Sequence, residues 1–285
     1  MRELGIKIFL LFFALSSLVF LAGILFTLLS QGLPVFAEVS PVKFLLGTQW
    51  HPTSSPPDFG ILPLLLASIQ VTLGAMAVAI PLSIGSAIFL AEQVPPLMRE
   101  TAKPVVEILA GIPSVVYGFI GMVLFAPLIK NLFHLPTGLC ALNASIILGI
   151  MAYPTITSLA EDAISAVPRS IKEASFALGA NRWETVTRAV LPYARSGIFS
   201  AVLLGFGRAI GETMTVLMVA GGAAVVTANY FKPVRPLTAT IAAEMGETPF
   251  GGLHYSALFA IALVLFLITL GFNLIAEKLR KGSHP

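Results

Sequence analysis

Residues 197–222 read "GIFSAVLLGFGRAIGETMTVLMVAGG". The stretch is long enough to cross a bilayer, which takes about 20 predominantly apolar residues. Yet it carries Arg208 and Glu212 near its middle. A charge at that depth costs about 2.5–3.5 kcal/mol on insertion scales, and such residues normally face protein or water rather than lipid. The fold therefore turns on whether the rest of the chain is also built for lipid.

The composition says that it is. Of 285 residues, 56% are hydrophobic and only 11% are charged, whereas a soluble domain carries roughly a quarter charged residues. A core in water cannot absorb that much apolar surface. The chain is expected to be an all-α, polytopic membrane protein, with one transmembrane domain over residues 1–285. Hydropathy places six spans at about 8–30, 62–91, 105–129, 141–160, 195–222 and 255–277. The first follows Arg2 and Lys7 and precedes "VFA" at 35–37, as a signal peptide would. Its apolar run of about 22 residues exceeds the roughly 7–15 of a signal core, so a retained helix is expected.

Six spans put both termini on one side. That side holds Arg2, Lys7, Arg99, Lys103, Arg169, Lys172, Arg182, Arg188, Arg195, Lys278, Arg280 and Lys281; the other holds Lys43, Lys130, Lys232 and Arg235. Twelve against four is a positive-inside bias that makes the termini cytoplasmic. The net charge of +3 then belongs to cytoplasmic loops, and no nucleic-acid partner is implied. Externally, the loop of 31–61 contains "GTQWHPTSSPPDFG", too rich in Pro and Ser for a long helix. The loop of 223–254 contains "KPVRP" and has room for a short helix around Leu237 to Met245.

Pro63, Pro81, Pro113, Pro127 and Pro154 fall within spans, and each is expected to kink its helix. The segment "AGIPSVVYGFIG" (110–121) is the densest in such residues, with Ser114 and Tyr117 among them. It reads either as a kinked packing helix or as a pore lining.

One long polar insertion interrupts the pattern. Residues 161–196 read "EDAISAVPRSIKEASFALGANRWETVTRAVLPYARS", and the cytoplasmic loop proper covers 161–194. Pro168 suits a first helical turn and Gly179 a C-terminal cap. Asn181 and Glu184 have the spacing of a capping box, opening a second helix that Pro192 is expected to close. Ile164, Val167, Ile171, Ala174 and Leu178 form one apolar stripe at helical spacing. Such a helix buries its stripe either in lipid headgroups or in a partner's groove.

The loop resembles the EAA loop of bacterial ABC-importer permeases, whose pattern is E-A-A, three residues, G, nine residues, I-x-L-P. Here Glu173, Ala174, Ser175, Gly179, Ala189, Val190, Leu191 and Pro192 keep every spacing, with Ser175 and Ala189 as mild departures. "FLLGTQWHPT…FGILP", "AGIPSVVYGFIG" and "GFGRAIGETMTV" extend the resemblance over nearly the whole chain, to the permeases of phosphate-specific importers, and to their C-type (PstC) rather than their A-type. The resemblance implies a type I ABC-importer permease fold in the bacterial cytoplasmic membrane. It implies that the loop couples to a separate ATPase through Ile171, Glu173, Ala174, Ser175, Leu178, Gly179, Leu191 and Pro192. It further implies a homologous second permease (PstA-type), an ATPase homodimer, an external phosphate-binding protein, and no cofactor in this chain, ATP and Mg being bound by the ATPase.

Arg208 lies 13 residues beyond Arg195, about 20 Å along a helix, slightly past mid-bilayer. Glu212 is expected one turn further out on the same face. The two read either as an intrahelical pair that neutralises itself, in the poorer order for such a pair, or as part of a substrate path. Phosphate fits the second reading. A guanidinium offers paired donors matched to its oxygens, and Glu212 could accept a proton that phosphate carries and sulfate lacks. Thr213, Ser114 and Tyr117 are weaker candidates for the same path. Gly207 and Gly211 form a G-x-x-x-G pair, read first as close helix packing.

Rival classes find less. The chain has no H-E-x-x-H, nucleophile elbow or P-loop pattern. His51, His134, His254 and His284 sit in loops or the tail, and Cys140 is the single cysteine, so no metal site is expected. A permease for another oxyanion, or an ion-coupled transporter or channel using Arg208 and Glu212 as a charge relay, remains the alternative. The inverted repeats common in the latter are not apparent.

Overall fold

The structure, a computed structural model, describes residues 2–281; His284 and the rest of the terminal "GSHP" lie outside the described residues. Among the described residues six helices are long and apolar enough to cross a membrane, and the chain is a multi-pass membrane protein.

The first is α1 (Arg2–Gly32), apolar on every side. Short helices α2 (Val35–Glu38) and α3 (Pro41–Leu46) follow, then a small hairpin of β1 (Trp50–His51) and β2 (Asp58–Phe59). The second span is α4 (Leu62–Ile88). A separate helix, α5 (Pro96–Ala110), leads into α6 (Ser114–Ile120) and α7 (Ala126–Leu132), which form the third span. The fourth is α8 (Ala141–Ser165). After α9 (Arg169–Ala177), the fifth span combines α10 (Arg182–Thr185) and α11 (Leu191–Ile210). Then come α12 (Met214–Val219), α13 (Leu237–Glu244) and the sixth span, α14 (Leu253–Lys281).

α8 is the central post: most of its apolar window is buried, whereas none of that of α1 is. Ala67, Val71, Ala75 and Ala79 of α4 recur every four residues and meet Ala141, Ala144, Leu148, Ala152 and Ile156 of α8 in one buried core. Between spans, water supplies no driving force, so small residues that let backbones approach closely do the packing. At Gly149 a Cβ would stand 2.9 Å from the carbonyl oxygen of Ala75, so only glycine permits this crossing.

A second core caps the end of the bundle that carries the hairpin. Val35, Phe44, Trp50, Phe59, Ile61 and Leu64 pack on Leu237, Leu258 and Ile261, joining the first loop to α13 and α14. Glu244 pins this cap. Its carboxylate accepts from Trp50 Nε1 at 3.1 Å and Arg235 Nη1 at 2.7 Å, and His254 Nε2 lies 2.8 Å away. The expected short helix near Leu237 is α13.

Four expectations need correction. The stripe from Ile164 to Leu178 does not lie on one helix: Ile164 ends α8, Val167 is in the turn, and Ala174 and Leu178 of the next segment are exposed. Pro192 does not close a helix; it follows the π-helical turn at 186–190, and the helix runs on through it from Arg182 to Ile210. Nor do all five span prolines kink a helix. Pro81, Pro127 and Pro154 lie inside continuous helices; Pro63 sits in a first turn, and Pro113 stands before α6. π-helical turns at 89–93, 121–125 and 186–190 each lie just ahead of a proline (Pro95, Pro127, Pro192). At Pro127 and Pro192, where the helix continues, the wider turn gives room for a ring that would clash in a tight helix; at Pro95 the chain leaves the helix instead. Finally, the fifth span starts at Arg182 and its helix stops at Ile210, so Arg208 and Glu212 do not share a helix.

Candidate functional site

Three chain breaks meet around Arg208. α5 ends at Ala110 because Gly111 and Pro113 follow. α11 ends at Ile210 because Gly211 follows, and α12 restarts at Met214. α8 passes both ends, presenting Thr155 directly after Pro154. Irregular backbone at membrane depth is tolerated where protein or a water-lined cavity satisfies its polar groups, and the side chains here do that work.

Arg208, in the last turn of α11, donates through Nη1 to Thr155 Oγ1 at 3.1 Å and through Nη2 to the Ala110 carbonyl at 3.3 Å. Tyr117, itself buried, donates to the neighbouring Leu109 carbonyl at 2.8 Å. The last carbonyls of α5 would otherwise be orphans, and a cation beside the negative end of a helix is favourably placed. A guanidinium has five N–H donors. Those of Arg208 beyond the two bonds have no protein partner among the described residues. The charge is thus oriented but not neutralised: no ion pair reaches Arg208 among the described residues.

Glu212 takes another place. Its Oε1 accepts the Thr215 backbone N–H at 3.2 Å at the start of α12, and its carbonyl accepts from Thr238 Oγ1 of α13 at 2.7 Å. The intrahelical-pair reading therefore fails, since the break at Gly211 carries Glu212 off the axis of α11. Ser114 is joined to the same corner, its carbonyl accepting from Thr215 Oγ1 at 2.8 Å. Thr213 is turned to its own backbone, donating to the Gly211 carbonyl at 3.3 Å. At Gly207 no atom of this chain lies within 4 Å of where a Cβ would stand, so intrachain packing does not explain that glycine.

Thr155 and the α5 carbonyls are absent from the sequence reading. A hydroxyl following Pro154 in an apolar span was the available signal; the carbonyls leave none.

The second candidate surface is the loop helix. α9 ends in a Schellman motif, with Gly179 N–H bonding Phe176 O at 2.9 Å and Ala180 N–H bonding Ser175 O at 3.2 Å. Gly179 has φ +84°, which its lack of a Cβ makes cheap. The expected capping box forms: Glu184 N–H donates to Asn181 Oδ1, and Asn181 N–H to Glu184 Oε2, both at 2.9 Å. Ser175 bonds Thr185 hydroxyl to hydroxyl at 3.0 Å, tying α9 to α10. Ile171 and Leu191 turn inward onto the core. Glu173, Ala174 and Pro192 are exposed, as is Leu178 at 89%, with Phe176 and Trp183 beside them. Phe176, Trp183, Lys172 and Glu92 line a cavity of about 250 Å³ here.

Comparison with known proteins agrees with this architecture. The family described as "binding-protein-dependent transport system inner membrane component" matches residues 79–282. A probable ABC transporter permease protein, YqgH, of Bacillus subtilis is 40% identical over 85% of this chain and 78% of its own. The phosphate transport system permease protein PstC of Mesorhizobium japonicum is 37% identical over 90% of this chain and 83% of its own. Among solved structures, a bacterial alginate ABC transporter in complex with an alginate-bound periplasmic protein superposes with a TM-score of 0.66 at 14% identity, covering 96% of this chain and 93% of that one. The fold is that of type I ABC-importer permeases, and the chain belongs to the family of binding-protein-dependent transport system inner membrane components.

Proposed function

We propose that this chain is the transmembrane permease subunit of an ATP-driven phosphate importer, acting as a single unit over residues 1–285 and forming half of the translocation pathway. The observation that carries the reading is Arg208: a guanidinium in a membrane span, held by Thr155 and the end of α5, with donors unspent and no carboxylate neutralising it. That is an arrangement for an anion with several oxygens. Supporting it, the 37% identical relative is a phosphate transport permease. Glu212, Thr213, Ser114 and Tyr117 complete the substrate path, with Tyr117 and Ser114 acting by fixing the backbone around it.

The exposed face of α9 carries the coupling. Glu173, Ala174, Leu178, Phe176 and Trp183 form an apolar-centred cytoplasmic patch, suited to the groove of an ATPase subunit present in two copies. Ile171, Ser175, Gly179, Leu191 and Pro192 hold that patch in place. ATP and Mg belong to the ATPase, a PstA-type permease forms the other half, and an external phosphate-binding protein docks on the cap around Trp50 and Glu244. Both termini are cytoplasmic.

The test is uptake of radiolabelled phosphate into liposomes holding the assembled complex. Uptake that requires ATP and is not competed by sulfate is expected; a complex that moves another oxyanion, or phosphate without hydrolysis, contradicts the proposal.

A further inference from the structure

α5 is attached to the bundle differently from the spans. Leu97, Met98, Val105 and Ile108 face outward from it. The side turned to α8 carries Arg99, Lys103 and Glu107, and the contacts there are largely polar. Arg99 donates to Glu161 and to Ser165, while Lys103 pairs with Asp162 and stands 2.9 Å from Glu161 Oε2. Nearer the membrane centre, Ser158 Oγ bonds Glu107 Oε1 at 3.0 Å. Glu161 is wholly buried. By contrast, α4 meets α8 through alanine and branched aliphatic side chains.

Breaks bound the helix on both sides, at Val94–Pro95 and at Gly111–Pro113. Its two ends are tied to the two candidate surfaces. At the inner end, Arg208 holds the Ala110 carbonyl. At the other, Lys172 of α9 pairs with Glu92 at 2.6 Å, on the turn that leads into α5. Arg99 reaches Ser165, three residues before Pro168 opens α9. A cavity of about 480 Å³ lined by Ala91, Val94, Arg99, Lys103 and Glu107 lies along the helix.

We propose that α5 is the cytoplasmic gate of the pathway, latched on Glu161 by Arg99 and Lys103 and held at its inner end by Arg208. The proposal rests on the reading of Arg208 as the anion's contact. An anion on the unspent donors draws the guanidinium toward its oxygens and away from the Ala110 carbonyl, so substrate loosens one end of α5. Movement of α9 acts on the other end through Glu92 and the end of α8. Ion pairs suit a seam that must part and reform, because water and exchanging partners can satisfy their groups in the open state, whereas the cation side chains are neutralised when it is closed. With Glu161 and Asp162 against Arg99 and Lys103, the closed seam offers an anion no free positive charge, which makes it a barrier rather than a second binding station.

The experiment uses the assembled transporter in liposomes, with Lys103→Cys and Asp162→Cys introduced together; Cys140, the only native cysteine of the chain, is buried. Closing the pair with a short reducible thiol crosslinker is expected to stop phosphate uptake, and reduction to restore it. Uptake that continues at the uncrosslinked rate overturns the gate while leaving the phosphate reading intact; a wild-type complex that moves no phosphate sinks that reading instead. If the two substitutions alone stop uptake, Glu161→Gln decides. The ratio of substrate-stimulated to basal ATP hydrolysis is expected to fall about fivefold or more, the lower end of ordinary coupling between sites. An unchanged ratio overturns the proposal.

Discussion

Arg208 Nη2 lies 3.3 Å from the carbonyl oxygen of Ala110, so the guanidinium of α11 caps the end of α5. The same side chain reaches Thr155 at 3.1 Å. It therefore joins three helices while keeping donors unspent. Arg208→Ala is expected to abolish uptake with assembly intact, since neither the anion nor α5 is then held. Arg208→Lys keeps the charge but replaces a planar fork with a single ammonium, so weak residual uptake is expected. Thr155→Val removes one hydrogen bond to a charged group, worth about 1.5–3 kcal/mol, and should lower uptake about 10- to 150-fold. Initial rates normalised to complex recovered from the membrane measure all three. Wild-type rates in Arg208→Ala would reduce this residue to packing.

Glu212 has a local task and a proposed one, and a single substitution separates them. An amide oxygen at Glu212→Gln can still accept the Thr215 N–H, so the start of α12 survives. The negative charge and the second acceptor oxygen do not, and with them goes the discrimination between protonated phosphate and sulfate proposed for this carboxylate. The variant is expected to assemble normally and to lose phosphate preference in competition with sulfate. Preference kept in full would leave Glu212 as a cap alone.

How far the sequence could see is clearest at this same pair. Hydropathy finds six spans because lipid exposure forces composition, and α1, α4, α8 and α14 fall close to the expected ranges. It cannot see the break after Ile210. Gly211 permits a break, but what stabilises it, Thr238 on the Glu212 carbonyl, comes from 26 residues away. The third span shows the same limit. Val105 to Ala110 are apolar enough to be counted with it, yet they end α5, and Ser114 begins the membrane helix. In the loop of residues 161–194, by contrast, local rules suffice. Gly179, Asn181 and Glu184 act within a few residues of themselves, and both caps form as spacing predicts. Pro192 is misplaced because a π-helical turn at 186–190, which no sequence rule anticipates, carries the helix through it. The latch on Glu161 depends on side chains about 60 residues apart in the chain, beyond any periodicity argument.

At Gly179 the constraint is purely conformational. With φ +84° and no atom within 4 Å of a Cβ position, Gly179→Ala meets no clash outside its own backbone. It does force an L residue into the left-handed region, costing about 1–2 kcal/mol. Relief comes by reorienting α9 against α10. Hydrolysis that no longer drives transport in proportion is expected, with Gly179→Asn milder because Asn tolerates that region. Equal phosphate moved per ATP in wild type and Gly179→Ala would separate this loop from coupling.

Lys103 sets the pH range of the α5–α8 seam. Burial alone would lower its pKa, but hydrogen bonds to Asp162 and Glu161, with the charges of both, outweigh burial and raise it above the ordinary 10.5. A group whose folded pKa is raised contributes in full below the unfolded value and loses that contribution as pH climbs through the folded one. The difference in Tm between wild type and Lys103→Met is therefore expected to stay constant from about pH 7 to about pH 9 and to narrow above about pH 10.5. A difference already narrowing at pH 8 would mean that the lysine is not held by these carboxylates.

The cap around Trp50 and Glu244 offers a test of long-range tertiary structure away from Arg208. Glu244 collects Trp50 from the hairpin, Arg235 from the loop before α13, and His254 from the start of α14. Its side chain is 17% exposed and that of Arg235 is 30% exposed, so solvent weakens the pair and a fully buried value would overstate it. Glu244→Ala is expected to cost about 1.5–3 kcal/mol, the range for hydrogen bonds to a charged group. Tm of the detergent-solubilised protein should fall by several degrees. Glu244→Gln should recover part of the loss, because its amide oxygen still accepts from Trp50 and Arg235. The variant should also cut the hairpin's protection from external protease, since Trp50 and Phe59 pack under the same carboxylate-bound lid. An unaltered cleavage rate together with an unaltered Tm would show that the buried Phe44, Trp50 and Phe59 hold the cap without Glu244.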